Sequence, residues 1–579
     1  MSRRYADLIA LLGLALVMVM FLSRIGGFPL ADPDEGRYAE IPREMIELHD
    51  WVTPRLNYVK YFEKPPLFYW LVGLSFRAFG MTEWSARLVP ALSGLLVVVV
   101  TYLLGRSMIG PRGALIAAAV LATSPLFFAM SQVVIIDMLL TACMTVALAA
   151  AYAAHRSASP LRWAVLAAAA TGLGVLAKGP IALLLTGGIV LSFLALRRDG
   201  ATIGLFLGRR PILVFLAVVA PWFILVSVRN PEFPHFFFVR ENFERFASAA
   251  VGHPEGPFYY LPVVFGGLFP WTLLAGVLAV HRLGRERLRA IPSDAWLFLG
   301  LWGAIEVGFF SLSSAKLAPY VLPAFPAFAL LLGGWIDGLL DDEPTRAVIL
   351  PRFIRCLAWL AGLLLAVSLV GLLFAGPIAD WLRRDRVDVF AANFAVMLFT
   401  AALLPLIALN LRPRLMAHAG AFATLAVVVI GVGIGLAGAV GGRTITKTAR
   451  DLAVAIVPEK SPSDLLVAYR KVMPGLSFYT RGRVVQVQAY GELDFGAEQS
   501  SDEAEFFWDD TERLESEWRS SRRVFIATNR DLEETLAARL DPRPKVLARD
   551  GNRVVLVNFA PLRSAARDVG SKNLESPRG

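Results

Sequence analysis

The chain has 579 residues, is 56% hydrophobic and only 18% charged, and has a mean hydropathy of +0.58. A soluble globular protein carries roughly 25% charged residues, so a single soluble domain is excluded. The net charge of +10 suits the cytoplasmic side of a bilayer and lipid headgroups, and is weak evidence for nucleic acid.

Apolar runs long enough to cross the hydrocarbon core recur from residue 6 to residue 440. They predict a polytopic α-helical membrane protein of about thirteen spans, at roughly twenty apolar residues each. The spans fall near 6–24, 84–108, 113–130, 132–154, 161–177, 180–196, 211–228, 258–280, 295–311, 317–340, 353–375, 390–410 and 417–440. The first follows Arg3 and Arg4 as a signal peptide would, but no small-residue cleavage site stands out, and it is read as a retained helix. A short aromatic stretch at 65–80 reads as an interfacial or re-entrant helix.

Arginine placement gives the sidedness. With the N-terminus in the cytoplasm, inner connections carry Arg106 and Arg112, Arg156 and Arg162, Arg197 to Arg210, Arg282 to Arg289, and Arg412 and Arg414. That pattern is positive-inside; Arg383, Arg384 and Arg386 on one outer loop run against it. Residues 1–440 then form the membrane domain, with long outer loops at 25–83 and 229–257, and an odd span count puts residue 441 onward outside. Asp137, Lys178 and Lys316 all fall near the outer ends of spans, on the same face as those loops.

The first outer loop begins DPDEGRYAEIPREM, residues 32 to 45. Tyr38, Ile41, Met45 and Leu48 share one helical face, which predicts an amphipathic helix lying on the membrane and broken or kinked at Pro42. Asp32, Pro33 and Glu35 occupy the places of an N-cap, a first-turn proline and a capping-box acid. Asp34 is then released from capping, with Arg37 one turn later to hold it. The plainer reading of Asp34 is an acid that complements the helix dipole.

YFEKPP, residues 61 to 66, sets Glu63 and Lys64 at a bend at headgroup level. Lys64 is either a snorkelling lysine or a phosphate ligand. Asp137 sits in a nearly pure apolar run, where a charge is costly and functional by default; its plain alternative is an ion pair with Lys178 or Arg37. LAKGP places Lys178 between two spans, and Glu306 lies nearer the middle of one. His235 and His253 lie in the second outer loop, near Glu241 and Asn242. A divalent metal could be assembled from Glu63 and one of these histidines, His253 above all, but no ligand spacing demands one. Cys143 and Cys356 read as small buried hydrophobes.

The tail changes composition. LLVAY, VVQVQ, VFIAT and VVLVNF alternate with helical patterns such as TERLESEWRSS, and Asp550-Gly551-Asn552 reads as a hairpin turn. A soluble α/β domain is expected over 441–565, with a disordered tail at 566–579.

DPDEGRYAEIPREM, YFEKPPLFYW, an Asp opening a membrane helix, LAKGP, RENFERF and SSAKLAPYVLPAFPAFALLLG together resemble the bacterial aminoarabinose transferases. These move 4-amino-4-deoxy-L-arabinose from undecaprenyl phosphate to lipid A, and are relatives of the protein O-mannosyltransferases in the GT-C superfamily. The resemblance covers residues 1 to about 340 well; later spans and the tail match in layout more than in motif. It implies a GT-C type fold with thirteen membrane helices and a soluble domain outside the bacterial inner membrane, in the periplasm. It implies an undecaprenyl-phosphate sugar donor, with lipid A or another glycan or protein as acceptor. On the matched motifs it assigns catalysis to Asp34, Arg37 and Asp137, and the donor phosphate to Lys64, Lys178, Tyr320 and Lys316. A histidine that some members carry is replaced here by Asn242.

The expected chemistry is inverting glycosyl transfer. Lys64, Lys178 and Tyr320 would stabilise the departing phosphate, and Asp34 would take a proton from a hydroxyl acceptor. A lipid A phosphate is already ionised, so Asp34 would then only shape the charge around the sugar. The same donor type also fits an O-mannosyltransferase-like or other glycan-modifying enzyme. A lipid or solute transporter, the non-enzyme alternative, predicts internal repeats, which the chain does not show.

Overall fold

The computed structural model describes residues 15–244, 255–280, 293–374 and 448–559, a few isolated positions excepted. The spans expected near 390–410 and 417–440, most of the one near 6–24, His253 and the 566–579 tail lie outside the described residues.

Six described helices are long and apolar enough to cross a membrane: Glu83–Met108, Asp137–Arg156, Pro160–Lys178, Gly200–Arg229, Ser293–Leu312 and Ala318–Asp341. Two bent pairs raise this to eight, Gly110–Ala122 with Pro125–Ser131 (65°) and Tyr260–Gly267 with Trp271–Val277 (102°). The bends fall where the chain carries prolines, at Pro125 and Pro270, which remove a helical donor. Leu67–Phe79 and Ile181–Leu196 are apolar but shorter, and the former falls on the short aromatic stretch noted at 65–80.

Local chemistry places the helix ends near the outer loops. Thr82 caps the Glu83–Met108 helix in a reciprocal capping box with Ser85. Pro160 opens the next-but-one long span as an N1 proline, and Gly179 (φ +93°) closes it in a conformation open to glycine. This stop leaves Lys178 as the last helical residue.

The helix predicted to lie on the membrane is Asp34–Glu47, and its setting differs from that expectation. Residues 35 to 45 are all buried. It packs between the Leu67–Phe79 helix and the Pro474–Thr480 helix of the tail. Much of its polar face is paired within the protein. Arg43 donates to Glu40 at 2.6 and 2.7 Å, and Glu44 accepts the backbone N–H of Tyr58 at 2.9 Å. Pro42 stays inside the helix; packing on both sides outweighs the proline's local cost.

In the first outer loop β1 (Arg55–Leu56) pairs antiparallel with β2 (Val59–Lys60). The tail forms a six-stranded sheet from β3 (Leu465–Tyr469), β4 (Val485–Val487), β5 (Phe507–Trp508), β6 (Val524–Asn529), β7 (Lys545–Asp550) and β8 (Arg553–Val557), in the order β5-β4-β3-β6-β8-β7. Strands β3, β4, β5 and β6 run parallel. β8 joins β6 antiparallel and pairs with β7 across the Asp-Gly-Asn turn. The strand segments and the hairpin follow the expectation; β5 is too short to leave a pattern. One apolar core unites membrane half and tail, with Leu30, Tyr38, Met45 and Tyr69 packed with Phe478, Leu493 and Phe507.

Candidate active site

Asp34 opens its helix with no side-chain cap, and the N-cap position is Pro33, not Asp32. The capping role expected of Asp32 is therefore replaced by another. Its carboxylate accepts the backbone N–H of Gly475 at 2.7 Å and pairs with Arg553 at 2.9 Å, both in the tail. Contact is close: a Cβ on Gly36 would lie 2.5 Å from Asp32 Oδ1, and one on Gly475 2.6 Å from it. Burial pushes the Asp32 carboxyl up, against the pull of Arg553.

Glu35 does reach back to a backbone N–H, that of Ala31 at 2.9 Å. Its larger role is with Arg87, a charge that span-counting passed over. Arg87 and Glu35 are fully buried and joined at 2.7 and 2.8 Å. Arg87 also donates to the carbonyls of Ile25, Phe28 and Pro29. Every arm of the guanidinium is thus used in holding the outer loop onto a membrane helix.

With its neighbours so engaged, Asp34 keeps a side chain 64% exposed, and one of its oxygens accepts from Arg37 at 2.8 Å. Asp34 and Arg37 pair as expected, while Asp32 and Glu35 are engaged by the tail and by Arg87 rather than in helix capping.

Asp137 begins its helix, and its carboxylate lies 2.5 Å from Lys178 Nζ. Lys178 also stands 4.3 Å from the centre of the Tyr320 ring. Lys64 pairs with Glu241 at 2.5 Å and donates to the Glu63 carbonyl at 2.9 Å. Lys316, by contrast, is buried against backbone, donating to Ser313 O at 2.5 Å and Glu255 O at 2.9 Å. Glu306 is fully buried, and neither carboxylate oxygen has a hydrogen-bond partner.

Tyr38 ties the first groups together: the charges of Arg37, Asp137, Asp34 and Glu63 all act on its phenol, and burial pushes that phenol's titration far up. Tyr61 is raised likewise, by burial and then by Glu63. Both remain hydroxyl donors at neutral pH. A third group comes from the tail. Glu492 Oε2 lies 2.8 Å from Arg37 Nε and 3.4 Å from the Tyr61 hydroxyl, 431 residues away in sequence from the latter. Loss of solvation pushes the Glu492 carboxyl up to about 7; Arg37 opposes this, and Glu63 and Asp34 add to it. The sequence carries no signal for Glu492, one acid in the acid-rich stretch GELDFGAEQSSDEAE. Glu241 was visible only as one charge of RENFERF.

A metal finds limited support. Among the described residues, no three His, Cys, Asp or Glu side chains are placed to hold one. Asn242 donates to the Phe237 carbonyl at 2.6 Å, so its amide is engaged with backbone. Glu63 is in the site, and His253 lies outside the described residues.

The fold agrees with those of known proteins. The family model for dolichyl-phosphate-mannose-protein mannosyltransferase matches residues 63–225, and that for the aminoarabinose transferase C-terminal domain matches 452–558. The tail therefore carries a sequence signal of its own, beyond layout. An undecaprenyl phosphate-alpha-4-amino-4-deoxy-L-arabinose arabinosyl transferase of Pectobacterium carotovorum is 36% identical over 370 residues, 62% of this chain and 64% of that protein. A protein of the same name from Pectobacterium atrosepticum is 35% identical, over the same shares. These alignments thus span just under two thirds of the curated relatives' length. The crystal structure of ArnT from Cupriavidus metallidurans bound to undecaprenyl phosphate superposes with a TM-score of 0.81 at 30% identity, covering 95% of this chain and 98% of that one. Sequence and structure together make the chain a member of the aminoarabinose transferase (ArnT) family.

Proposed function

We propose that this protein is an integral membrane glycosyltransferase. It moves 4-amino-4-deoxy-L-arabinose, or a closely related sugar, from undecaprenyl phosphate to lipid A at the outer face of the bacterial inner membrane. About thirteen spans form the membrane domain over residues 1–440. The domain at 441–565 is periplasmic.

One observation carries the proposal. Asp34 is an exposed carboxylate held by Arg37 that shares Glu492 as an electrostatic neighbour with Lys64 and Tyr38 with Asp137, in a chain with the fold of the relative bound to undecaprenyl phosphate. Lys64 and Lys178 are each paired with a carboxylate, Lys64 with Glu241 and Lys178 with Asp137. An arriving donor phosphate exchanges with those acids for the ammonium groups, and Tyr320, on the face of Lys178, adds a hydroxyl. Stabilisation of the phosphate as it leaves lowers the barrier. Asp34 faces the anomeric carbon from the opposite side, which gives inversion. A lipid A phosphate attacks already ionised, and Asp34 then stabilises the positive charge that develops on the sugar; a hydroxyl acceptor transfers its proton to Asp34. Lys316, bound to two carbonyls, shapes the loop before Tyr320. No step is routed through a metal.

The mannosyltransferase model matched at 63–225 favours a second reading, a protein or glycan hydroxyl as acceptor. Purified protein with undecaprenyl-phosphate aminoarabinose and either lipid A or hydroxyl acceptors, read by product mass, separates the two. No transfer with any pairing, while intact donor crosses liposomes, would sink the enzyme reading. Asp34→Asn should abolish turnover onto a hydroxyl and only slow transfer onto phosphate.

A further inference from the structure

The carboxyl ends of parallel strands are where open α/β sheets present loops to ligands. Here the loops after β3 and β4 are turned onto the membrane half. The first brings Gly475 to Asp32. The second, Tyr490 to Glu498, is pinned. Phe495 packs 4.1 Å from Phe236 and 6.0 Å from Phe62, Leu493 is buried, and Gly496 lies against the Lys60 backbone. Glu492 sits on this pinned loop and reaches Arg37.

We propose that Glu492 is a positioning residue for the transfer: ionised, it holds the Arg37 guanidinium in the orientation in which Arg37 binds Asp34. The inference rests on the glycosyl-transfer reading above. Two carboxylates flank one guanidinium, Glu492 at Nε and Asp34 at Nη2, each at 2.8 Å. The Nε–H does not point along a hydrogen bond to Glu492, so charge rather than directional bonding makes this contact. Protonation of Glu492 removes that charge and leaves Asp34 as the one salt-bridge partner of Arg37 among the described residues, with Tyr38 against its guanidinium, so the arm is less firmly held in the sugar-facing geometry.

The surroundings set when this happens. Arg37 and Asp34 face Glu492 from the outer-loop helix, and Tyr61, Glu63 and Lys64 face it from the bend before the short apolar helix. Tyr69 is within electrostatic reach from that helix. Asp494, on Glu492's own loop, faces Arg240. Desolvation and the neighbouring acids outweigh the cations, and the carboxyl titrates at about 7. Its side chain is 39% exposed, which lets protons exchange with the periplasmic face.

The experiment compares full-length wild type with Glu492→Gln and Glu492→Asp. Two readouts are used: the pH profile of transfer, and the Nε resonance of Arg37 in protein labelled with 15N-arginine and assigned by Arg37→Lys. Wild-type kcat should fall roughly tenfold as pH drops through about 7, with KM for donor little changed. Glu492→Gln should hold the low rate at every pH, and Glu492→Asp should restore part of the limb. The Arg37 resonance should move with pH in wild type and stand still in Glu492→Gln. Glu492→Gln with wild-type turnover and an unchanged profile overturns the proposal, as does a wild-type Arg37 resonance indifferent to pH. Absence of transfer by wild type with any pairing counts against the reaction instead, and the resonance still decides the positioning role.

Discussion

Lys178 Nζ lies 2.5 Å from Asp137 and 4.3 Å from the Tyr320 ring centre, at the last turn of one span and the first turn of another. Each side chain is only 14% exposed. A charge pair so shielded is costly to break from one side, because the remaining partner is left unpaired. Lys178→Met should therefore lower stability by roughly 3 kcal/mol and abolish turnover. Adding Asp137→Asn should return most of the stability and none of the turnover. Thermal melting in detergent with a transfer assay on the same samples checks both; equal loss in single and double variants would mean the pair contributes little.

Lys64 and Glu241 make a competing prediction about affinity. Glu241 holds the ammonium that the donor phosphate is proposed to take. Lys64→Ala should weaken binding of undecaprenyl phosphate about tenfold to a hundredfold, the worth of one charged hydrogen bond. Glu241→Gln should tighten it, since the phosphate then displaces a neutral amide. Titration of undecaprenyl phosphate into each variant gives the sign directly.

Arg87 and Glu35 should matter for folding rather than chemistry. Both are fully buried and mutually satisfied, so Arg87→Met leaves a buried carboxylate and should cost about 3–5 kcal/mol. The expected outcome is low expression and early melting. Full-yield, wild-type-like protein would show that the loop is held by its apolar contacts alone.

Docking of the sheet domain is tested at Gly475. An added methyl there meets Asp32 Oδ1 at 2.6 Å, well inside contact distance, and the same carboxylate must keep Arg553. Gly475→Ala should loosen the domain and expose the chain around 470–490 to protease, with transfer reduced as Glu492 moves from Arg37. An intact cleavage pattern would count against this contact as the docking point.

Stability should also carry the mark of Glu492. Its carboxyl is raised from the usual 4.5 to about 7, so the folded protein keeps a proton that the unfolded chain has released. That contribution is present below pH 4.5 and is lost as pH rises to about 7. Glu492→Gln should flatten the dependence of melting temperature on pH across that window. Activity and stability thus respond in opposite senses, because the ionised form that positions Arg37 is the one the fold disfavours.

Much of the architecture was legible along the chain. Strands β3, β4, β6 and β8 and the Asp-Gly-Asn hairpin follow from alternating β-branched runs and turn residues, signals local to a few positions. Lys64, Asp137 and Lys178 stood out because an ionisable residue in or beside a hydrocarbon span needs a reason. Asp34 could be singled out, yet the ground given, that Asp32 and Glu35 cap the helix, was replaced by tail and Arg87 contacts. The Asp34–Glu47 helix differs from expectation because its hydrophobic face resembles that of a membrane-surface helix; nothing local shows that Arg43 pairs with Glu40, or that the Tyr58 backbone meets Glu44, in a buried setting.

By itself the sequence determined that this is a multi-span membrane protein with an α/β tail. Hydropathy, positive charge and strand periodicity act over short stretches and can be read there. Only the tertiary structure decided which acid meets which cation: Asp137 with Lys178, Lys64 with Glu241, and Arg37 between Asp34 and Glu492. Apart from the local Arg37–Asp34 pair, those choices depend on contacts between segments from 41 residues apart upward, where folding rather than chain order sets the distance.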